Sequence, residues 1–591
     1  TMRKTFYLLL LGLVGLSCVQ KQSIKTCSNF TELDDPMQDI SSNWDEVANK
    51  GLMASFISID EKPQKSILPA IENRSNQEKI VGWKGETLSS QILLWSNEAI
   101  SQIELSFSDF KSESATLPSS IAEARFVRYI LTEAEYADGC SNRPIDEIPL
   151  ALAPDMLDNL DCFDMDGKTV RPVWLSIYVP HDATPGLYDG EVYIQAKDQK
   201  KQTFNLTVEV LNQELPQPSE WSFHLDQWQH PAAVARVHDL EVWSDAHFQK
   251  MEAQFKLLAD AGQKVITATL NKDPWNHQCY DEYKDMIIWT KHEDNSWTFD
   301  YTVFDRWVQL MMDLGINGMI NCYSMIPWGD DLHYRVAETD ELVTVEVKPG
   351  SEEFNKMWSL FLPDFVEHLR TKGWLAITNI SMDERSPEAM EAMLNVLQEY
   401  APELGISLAD NHQSYKRYPF IKDLCVAVQH SNEVEDQDKA SRREKGLITT
   451  IYSCCGNDFP NQFTYSPSAE SAFFGWYAEA AHFDGCLRWA YNSWVENPLV
   501  DARSHFPSGD SFIVYPDARS SIRNERLIEG IQDYEKIQII KRQLIEEGSA
   551  DAMNKLDRLN KAIAKLRITE RNESWLSDLN AAKATLIECA R

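Results

Sequence analysis

The chain has 591 residues, of which 43% are hydrophobic and 25% charged, a balance that excludes a disordered, collagen-like or coiled-coil protein. Its 56 basic and 91 acidic residues give a net charge of −35, and a surface this acidic repels phosphate groups, which argues against a nucleic-acid partner. The eighteen tryptophans are many for this length. They can fill a core, but exposed tryptophans also offer flat apolar faces to sugar rings.

The first residues have the pattern of an export signal. Two basic residues, 3–4, precede a short apolar run, 6–16, and a small residue stands just before Cys18. The run is too short for a membrane-spanning helix and is typical of a signal peptide. The residues before Cys18 resemble a bacterial lipoprotein signal, although Gly15 stands where leucine is usual. We therefore predict a lipoprotein signal peptide over 1–18, with a plain secretory signal as the alternative.

This signal fixes an expected location. Lipidation of Cys18 would place the mature protein in the cell envelope, on the periplasmic side or at the outer-membrane surface, with the lipid as its contact with the membrane. The remaining cysteines are scattered without metal-ligand spacing, so we predict no structural metal. Export permits disulfides, and Cys140 with Cys162 is a conceivable pair. Four cysteines in apolar runs are expected to be small buried hydrophobes: Cys322, Cys425, Cys454 and Cys486.

The next region, residues 28–215, is predicted to form a β-sandwich. Short alternating runs such as Val173–Val179 and Thr203–Val210 are separated by turn residues such as Pro185 and Gly186, as is typical of that fold. The prolines at 216 and 218 then mark a linker.

Strands and helices alternate after the linker, and residues 520–591 read as a helical C-terminal region. Eight strands with intervening helices over residues 220–515 predict a (β/α)₈ TIM barrel, which completes an α/β and β multidomain protein. The predicted barrel strands cover 221–228, 264–270, 318–324, 375–384, 406–411, 424–430, 447–455 and 485–494.

In such a barrel the site lies at the C-terminal ends of the strands. Those ends gather carboxylates, amides and aromatic residues, a mixture that suits a sugar, and there is no glycine-rich phosphate loop after a strand. Trp489 could instead belong to the core, because alternate residues of one strand share a face. The predicted pocket residues are Tyr323, Trp328, Asn411, His412, Tyr452, Trp489, Tyr491 and Trp494.

Two adjacent carboxylates, Asp383 and Glu384, end the fourth predicted barrel strand. The alternative is that these two residues have no catalytic role and form the solvated end of a strand. A retaining glycosidase with a protein nucleophile needs two carboxyls about 5–5.5 Å apart on opposite sides of the scissile bond, an arrangement that strand neighbours fit poorly. Neighbours suit substrate-assisted catalysis, in which a 2-acetamido oxygen attacks the anomeric carbon. One carboxyl then protonates the glycosidic oxygen and the other orients the acetamido group.

Several further segments, in the same order along the chain, resemble glycoside hydrolase family 123, the β-N-acetylgalactosaminidases. The resemblance rests on the segments 185–190, 381–384, 487–494, 509–510, 514–516, 521–525 and 533–535. It implies a β-sandwich followed by a catalytic barrel, and an exo-acting retaining enzyme that removes terminal β-linked N-acetylgalactosamine. It also implies that Asp383 positions and polarises the acetamido group and that Glu384 is the general acid and then the general base, with no cofactor.

Two other functions stay open from the residues alone. One is a β-hexosaminidase or another barrel glycosidase of different sugar specificity, because the sequence does not separate galacto from gluco configuration. The other is a non-catalytic glycan-binding lipoprotein, against which the acid pair argues, because binding does not need one. In each case the expected partner is a glycan, and for the leading function it is a glycan with a terminal 2-acetamido sugar.

Overall fold

The computed structural model describes residues 27, 30, 32–37, 43–46, 51–70, 74–135, 140, 145–411 and 413–591. The predicted signal peptide with Cys18, and the predicted pocket residue His412, lie outside these residues. Within the described part of the chain, no helix is both long and apolar enough to cross a bilayer.

The N-terminal domain consists of two packed sheets. One has the strand order β1-β3-β10-β7-β8, and the other has the order β2-β12-β11-β4-β9, with β5 and β6 at its side. The strands are β1 Met53–Ile57, β2 Gln77–Lys84, β3 Thr87–Ser96, β4 Ile100–Phe107, β5 Phe110–Lys111, β6 Thr116–Leu117, β7 Ala122–Glu133, β8 Leu150–Asp158, β9 Phe163–Met165, β10 Thr169–Tyr178, β11 Gly186–Gln195 and β12 Gln202–Glu214.

Alternation along the strands explains the two-layer packing. In β12, Phe204, Leu206 and Val208 are buried, whereas Asn205 is exposed and Thr207 half-buried. Successive side chains of a strand point to opposite faces, so β12 turns one apolar face to the opposite sheet. The predicted β-sandwich is confirmed.

A barrel of parallel strands follows, with eight strands in the described residues in the order β13-β24-β23-β22-β21-β20-β17-β14. Each overlaps one of the predicted barrel strands, and β21 and β22 begin one residue earlier than predicted, so the predicted barrel is confirmed. The strands are β13 His224–Gln227, β14 Val265–Thr269, β17 Met319–Tyr323, β20 Thr378–Asp383, β21 Gly405–Asp410, β22 Asp423–Ala427, β23 Ile448–Tyr452 and β24 Gly485–Arg488.

The barrel is nearly closed, and side chains complete the seam between β13 and β14. The Lys264 N–H donates to Leu225 O at 3.0 Å. The side-chain oxygen of Gln263 accepts a hydrogen bond from the Gln227 N–H at 2.9 Å, and Gln229 Oε1 accepts one from the Thr267 N–H at 2.8 Å. Glutamine amides therefore satisfy backbone groups that a regular ladder would otherwise pair.

A small four-stranded sheet, which the sequence analysis did not predict, is inserted in the loops after β14 and β17. Its strand order is β16-β15-β18-β19. The strands are β15 Ile288–Lys291, β16 Trp297–Asp300, β18 Asp331–Val336 and β19 Leu342–Glu346. These strands are short and only partly buried, so they lack the continuous apolar runs that reveal barrel strands.

The barrel helices begin and end with recognisable caps. The Ser386 side chain accepts a hydrogen bond from Ala389 N and Pro387 opens the helix, whereas Gly373 ends another helix at φ +77°. The helices of the barrel are α1 Pro231–Val237, α2 Asp245–Asp260, α3 Thr302–Asp313, α4 Glu352–Lys372, α5 Pro387–Tyr400, α6 Ser414–Arg417, α7 Asp436–Glu444 and α8 Ala469–Ala480.

The C-terminal region is helical, as predicted, with α9 Ile522–Glu547, α10 Ala550–Ala564 and α11 Trp575–Ala590. Helices α8 and α9 approach closely at two glycines. A Cβ atom on Gly475 would lie 2.0 Å from Gly530 O, and one on Gly530 would lie 2.3 Å from Ala472 O. The two backbones touch because neither glycine has a side chain.

Two buried arginines join the sandwich, the barrel loops and α9. Arg523 on α9 forms an ion pair with Asp155 on β8 at 2.8 Å and donates to Phe512 O at 2.9 Å. Arg488, at the end of β24, donates to the same Phe512 carbonyl at 3.3 Å and to Asp510 O at 2.8 Å. Both guanidinium groups are thereby satisfied inside the molecule.

The interior of the barrel is partly polar. His224 Nε2 lies 3.7 Å from Asp423 Oδ1, and Asn321 Nδ2 donates to Asp423 Oδ2 at 2.9 Å. Burial, with the neighbouring Asp423 charge, raises the pKa of Asp226 to about 8. Asp226 is therefore protonated at neutral pH, because a second carboxylate in this interior would be uncompensated.

The disulfide pairing differs from the conceivable Cys140–Cys162 pair. Cys27 is bonded to Cys162, and Cys140 to Cys455. Cys162 is fully buried in the sandwich, whereas Cys140 is exposed at the barrel, so the two face different surroundings. Of the cysteines expected to be small buried hydrophobes, three are buried, but Cys454 is half-buried at the cavity described below.

Candidate active site

A cavity of about 610 Å³ opens at the C-terminal ends of the barrel strands. Residues on or just after each of these strands contribute to its wall, as expected for a barrel enzyme. The lining residues are Cys140, Trp228, Trp275, Asn276, Gln278, Trp328, Asp383, Glu384, Ala409, Asn411, Gln429, Tyr452, Cys454, Cys455, Gly456, Leu487, Trp489, His505 and Phe506.

The acid pair lies in this wall. Asp383 is the last residue of β20, and the next residue, Glu384, has φ +48° and donates its N–H to Ala409 O at 3.0 Å. Consecutive side chains of a regular strand point to opposite faces. The left-handed backbone at Glu384 breaks that alternation, and both carboxylates line the cavity.

Asp383 is held by an indole. Trp275 Nε1 donates a hydrogen bond to Asp383 Oδ2 at 2.9 Å, and Arg385 Nε donates to the Asp383 backbone carbonyl at 2.8 Å. Burial, together with the neighbouring Glu384 charge, raises the pKa of Asp383 to about 7, against the opposing effects of Trp275 and Arg385. Asp383 is therefore only partly ionised near neutral pH, as expected for a buried carboxyl group beside a second carboxylate.

Glu384 has a different partner. The Tyr452 hydroxyl donates a hydrogen bond to Glu384 Oε1. Burial, together with the Glu384 charge, raises the pKa of Tyr452 far above its usual range, so the phenol keeps its proton. The two carboxyls thus have separate supports, an indole for Asp383 and a phenol for Glu384.

Three aromatic rings in mutual tilted contact lie next to Asp383. The Trp228 ring lies 4.8 Å from both the Trp275 and Tyr323 rings, and the Trp275 and Tyr323 centroids are 5.0 Å apart. Trp328 stands at the side, with Nε1 3.4 Å from Asp383 O. Such rings give a sugar an apolar surface and fix the position of the acid.

The structure brings four of the predicted pocket residues to the cavity: Trp328, Asn411, Tyr452 and Trp489. Tyr323 is not in the lining, because Trp228 and Trp275 cover it and leave 1% of it exposed. The question of whether Trp489 faces the core or the cavity is settled in favour of the cavity.

Tyr491 and Trp494 point away from the cavity and are fully buried. The Tyr491 hydroxyl donates to Gln254 O on α2 at 3.0 Å, and Trp494 Nε1 donates to Val514 O at 2.7 Å. The prediction placed both on a strand running to residue 494. The strand ends at Arg488, whose Nε donates to Ala490 O at 3.0 Å, so the chain turns before these residues.

The sequence analysis missed the loop after β14, which supplies Trp275, Asn276 and Gln278 to the cavity. The rule that barrel sites lie after the strands applies to this loop as well, so the signal was present. It also missed Cys140, which comes from the sandwich, and His505 and Phe506, which lie far along the chain from β24.

Two groups of side chains in the described residues place three metal-ligating atoms within 4.8 Å of one another. In the first, Cys140, Cys454 and Cys455, two of the sulfur atoms form the disulfide. In the second, Asp273 accepts hydrogen bonds from the Trp275 and His277 N–H groups. In both groups side chains are thus engaged in other bonds, and the cavity wall itself offers carboxyl groups, a phenol and aromatic faces.

Comparisons with known proteins agree with this geometry. The family described as "Glycoside hydrolase 123, catalytic domain" matches residues 228–540, and "Glycoside hydrolase 123 N-terminal domain" matches residues 56–196. A comparison with curated protein sequences found no significant match.

Among solved structures, the chain is similar to a family 123 glycoside hydrolase from Clostridium perfringens, reported in a study of glycolipid glycan hydrolysis. The two are 30% identical with a TM-score of 0.81, over 91% of this chain and 98% of that one. A family 5 xyloglucanase from Bacteroides ovatus matches over 77% of this chain and 98% of its own, at 8% identity and a TM-score of 0.30, which is too weak to argue from.

Proposed function

Because the chain belongs to glycoside hydrolase family 123, we propose that it removes terminal β-linked N-acetylgalactosamine from glycans, as an exo-acting retaining enzyme with substrate-assisted catalysis. The observation that carries this proposal is the placement of Asp383 and Glu384, strand neighbours that line one cavity with separate hydrogen-bond partners. Neighbours on one strand end do not flank a bond as an acid and a protein nucleophile must.

In this mechanism Asp383 serves the acetamido group. Its Oδ2 is occupied by the Trp275 indole, so Oδ1 is directed to the substrate amide N–H. Two N–H donors stabilise the ionised form of Asp383 and counter the burial that raises its pKa. Binding of the substrate amide therefore favours the ionised Asp383 that this mechanism needs.

Glu384 then performs the proton transfers. The acetamido oxygen forms a bond to the anomeric carbon while the glycosidic bond breaks, and the Glu384 proton goes to the leaving oxygen. The resulting oxazolinium carries a positive charge beside the Asp383 carboxylate. Water next attacks the anomeric carbon, the bond to the acetamido oxygen breaks, and Glu384 takes a proton from the water. Two inversions at one carbon retain the β configuration.

The cavity supports a terminal sugar as the substrate. The ends of all eight described barrel strands surround it, and its lining combines indole faces with the amides of Asn411 and Gln429. Aromatic faces bind the apolar side of a pyranose, and amides bind its hydroxyls. The study of the Clostridium relative concerns glycolipid glycans, and we extend that substrate class to this chain as part of the proposal.

The lipid anchor at Cys18 is a second part of the proposal. It is supported by the basic and apolar pattern of residues 3–18 and by the Cys27–Cys162 and Cys140–Cys455 disulfides, which are typical of exported proteins. An enzyme tethered in the cell envelope would meet glycans outside the cytoplasm. Incorporation of labelled fatty acid in the wild type and its loss in Cys18→Ala test the anchor.

One set of assays tests the activity. Chromogenic β-N-acetylgalactosaminide, β-N-acetylglucosaminide and β-galactoside are compared with the wild type, Glu384→Gln and Asp383→Asn. We expect hydrolysis of the first substrate, and a loss of at least about 100-fold in each variant. Strong cleavage of the β-galactoside would contradict the substrate-assisted mechanism, since that sugar has no acetamido group. Full activity in Glu384→Gln would contradict the role of this residue.

A further inference from the structure

A disulfide bond brings the β-sandwich into the cavity of the barrel. Cys140 and Cys455 are 315 residues apart in the chain. Cys140 lies between β7 and β8 of the sandwich, whereas Cys455 follows β23 of the barrel. Both residues line the cavity that holds Asp383 and Glu384. The sandwich therefore contributes to the wall of the proposed active site through a covalent bond.

The barrel side of this disulfide is fixed by a turn. The Cys454 N–H donates to Asn457 Oδ1 at 3.0 Å, and Asn457 Nδ2 donates to Gln429 Oε1 at 2.9 Å. Gln429, after β22, itself lines the cavity. The turn that carries Cys455 is thus held to the neighbouring strand's loop, and the position of the sulfur atom is set by the barrel.

The sandwich strand that precedes Cys140 is hydrogen-bonded to the barrel near this disulfide. At the end of β7, the Leu131 N–H donates to Val500 O at 2.9 Å, and the Glu133 carboxylate accepts a hydrogen bond from the Ser508 N–H at 3.1 Å. The barrel loop that receives these bonds also carries Phe506 of the cavity wall. The sandwich strand leading to Cys140 is therefore attached to the rim of the barrel.

The surroundings of the disulfide are aromatic and sulfur-rich. Burial raises the pKa of Asp510 to about 6, against the opposing effects of the Arg488 charge, the Trp489 indole and the backbone of Cys455. Trp489 packs edge-to-face on Phe506 at 5.1 Å, and Cys454 carries a free thiol. Disulfide and thiol sulfur atoms are polarisable and poor hydrogen-bond acceptors, so they contact apolar groups more readily than hydroxyls.

Exposure increases along this wall from one cysteine to the other. Cys140 is exposed, whereas Cys455 is buried, as are Trp275 and Tyr452, which hold the two carboxyls. A sugar whose anomeric carbon reaches Glu384 would occupy the buried part of the cavity. The group attached to that sugar would then extend along the disulfide toward Cys140 and the solvent.

We propose that the Cys140–Cys455 disulfide is a specificity-determining wall of the proposed active site, which contacts the aglycone and favours aglycones with an apolar face. This inference rests on the proposed function. It defines the preferred substrates by their aglycone, the group on the reducing side of the scissile bond. The acid pair alone does not indicate which aglycone the enzyme prefers. Contacts made to the aglycone alone change KM and kcat/KM for the substrates that carry it, and spare other substrates.

The test compares two N-acetylgalactosaminides, one with a 4-methylumbelliferyl aglycone and one with a galactosyl aglycone. The variant combines Cys140→Ser with Cys455→Ser. We expect kcat/KM for the aromatic aglycone to fall by about 10-fold, mainly through KM, and kcat/KM for the galactosyl aglycone to stay within about 2-fold. The matched control combines Cys27→Ser with Cys162→Ser, which removes a disulfide outside the cavity and should leave the ratio of the two substrates unchanged.

A second measurement keeps the test decisive if the double variant does not fold. Dithiothreitol applied to the Cys27→Ser/Cys162→Ser variant cleaves the cavity disulfide alone, and Cys140 is exposed to the reagent. The same shift in the substrate ratio is expected. A ratio that stays constant in both measurements, with both glycosides cleaved, overturns this inference only. A wild type that cleaves neither glycoside overturns the proposed function and this inference with it.

Discussion

The Trp275 indole donates a hydrogen bond to Asp383 Oδ2 at 2.9 Å, and the two residues are 108 positions apart in the chain. This contact joins the loop after β14 to the end of β20. It leaves the other oxygen of Asp383 for a ligand and stabilises the ionised carboxylate against burial.

We expect Trp275→Phe to move the acidic limb of the pH profile of kcat/KM to higher pH. Removal of the donor raises the pKa of Asp383 above its value of about 7, so a higher pH is needed to ionise it in the free enzyme, whose pKa values the profile of kcat/KM reports. A shift of about one pH unit, with kcat/KM about 10-fold lower at pH 6, is the expected size. Trp297→Phe, in the small inserted sheet, is the control. A uniform loss at every pH would show that Trp275 acts through packing alone.

We expect Tyr452→Phe to lower kcat by about 10-fold to 100-fold and to leave KM within about 2-fold. In the proposed mechanism the phenol, which donates to Glu384, positions this residue for proton transfer, a role that matters in the transition state more than in binding. Tyr301→Phe is a matched control, because Tyr301 also donates to a carboxylate, Asp364, at 2.7 Å but lies just before α3 and not in the cavity wall. An increase in KM with unchanged kcat would instead assign Tyr452 to sugar binding.

We expect the wild type to lose stability relative to Asp226→Asn as the pH rises from 5 to 8. Folded Asp226 keeps its proton up to about pH 8, whereas the unfolded chain releases it near pH 4. The folded state therefore binds more protons in this window, and the free energy of unfolding falls as the pH rises. Asparagine does not ionise and lacks this dependence. Melting temperatures across the range measure it, with exposed Asp313→Asn as control; parallel curves would contradict the prediction.

We expect Gly475→Ala to destabilise the protein by about 3 kcal/mol or more, since overpacking of this severity cannot be relieved by a side-chain rotation. The new Cβ would meet the backbone of α9 at 2.0 Å. Gly315→Ala is the control: it has no atom within 4 Å but a φ of +100°, so it should cost about 1 kcal/mol. Urea denaturation measures both, and equal losses would mean that α8 and α9 can move apart.

The barrel could be predicted from the sequence because parallel strands are buried on both faces and appear as apolar runs. Where the chain leaves the sheet within such an apolar run, the residue at which the strand ends could not be predicted. The run 485–494 is largely apolar, yet the strand ends at Arg488 and the chain turns there, so Tyr491 and Trp494 pack on α2 and on the loop at Val514. The inserted sheet was missed because its strands are short and half-exposed.

The location of the acid pair also followed from the sequence, because a carboxylate at a strand end must lie at the barrel mouth. The residues that hold and surround the acid pair could not be predicted in this way. Trp275 reaches Asp383 from a loop with no periodic pattern, and Cys140 reaches the cavity by bonding to a residue 315 positions away. Pairings over such distances depend on how the domains pack, which local patterns do not encode.

The two buried arginines, Arg488 and Arg523, determine whether the domains of this enzyme can be expressed separately. Arg523 belongs to α9 and its anion, Asp155, to the sandwich, while Arg488 shares the Phe512 carbonyl with it from the barrel. A catalytic barrel expressed without the sandwich would keep a desolvated cation and lose the anion that neutralises it, a loss that typically costs about 3–5 kcal/mol. The sandwich is thus part of the catalytic unit and not an accessory module. A recombinant protein in which one domain is exchanged must therefore also contain the domains that pack against it.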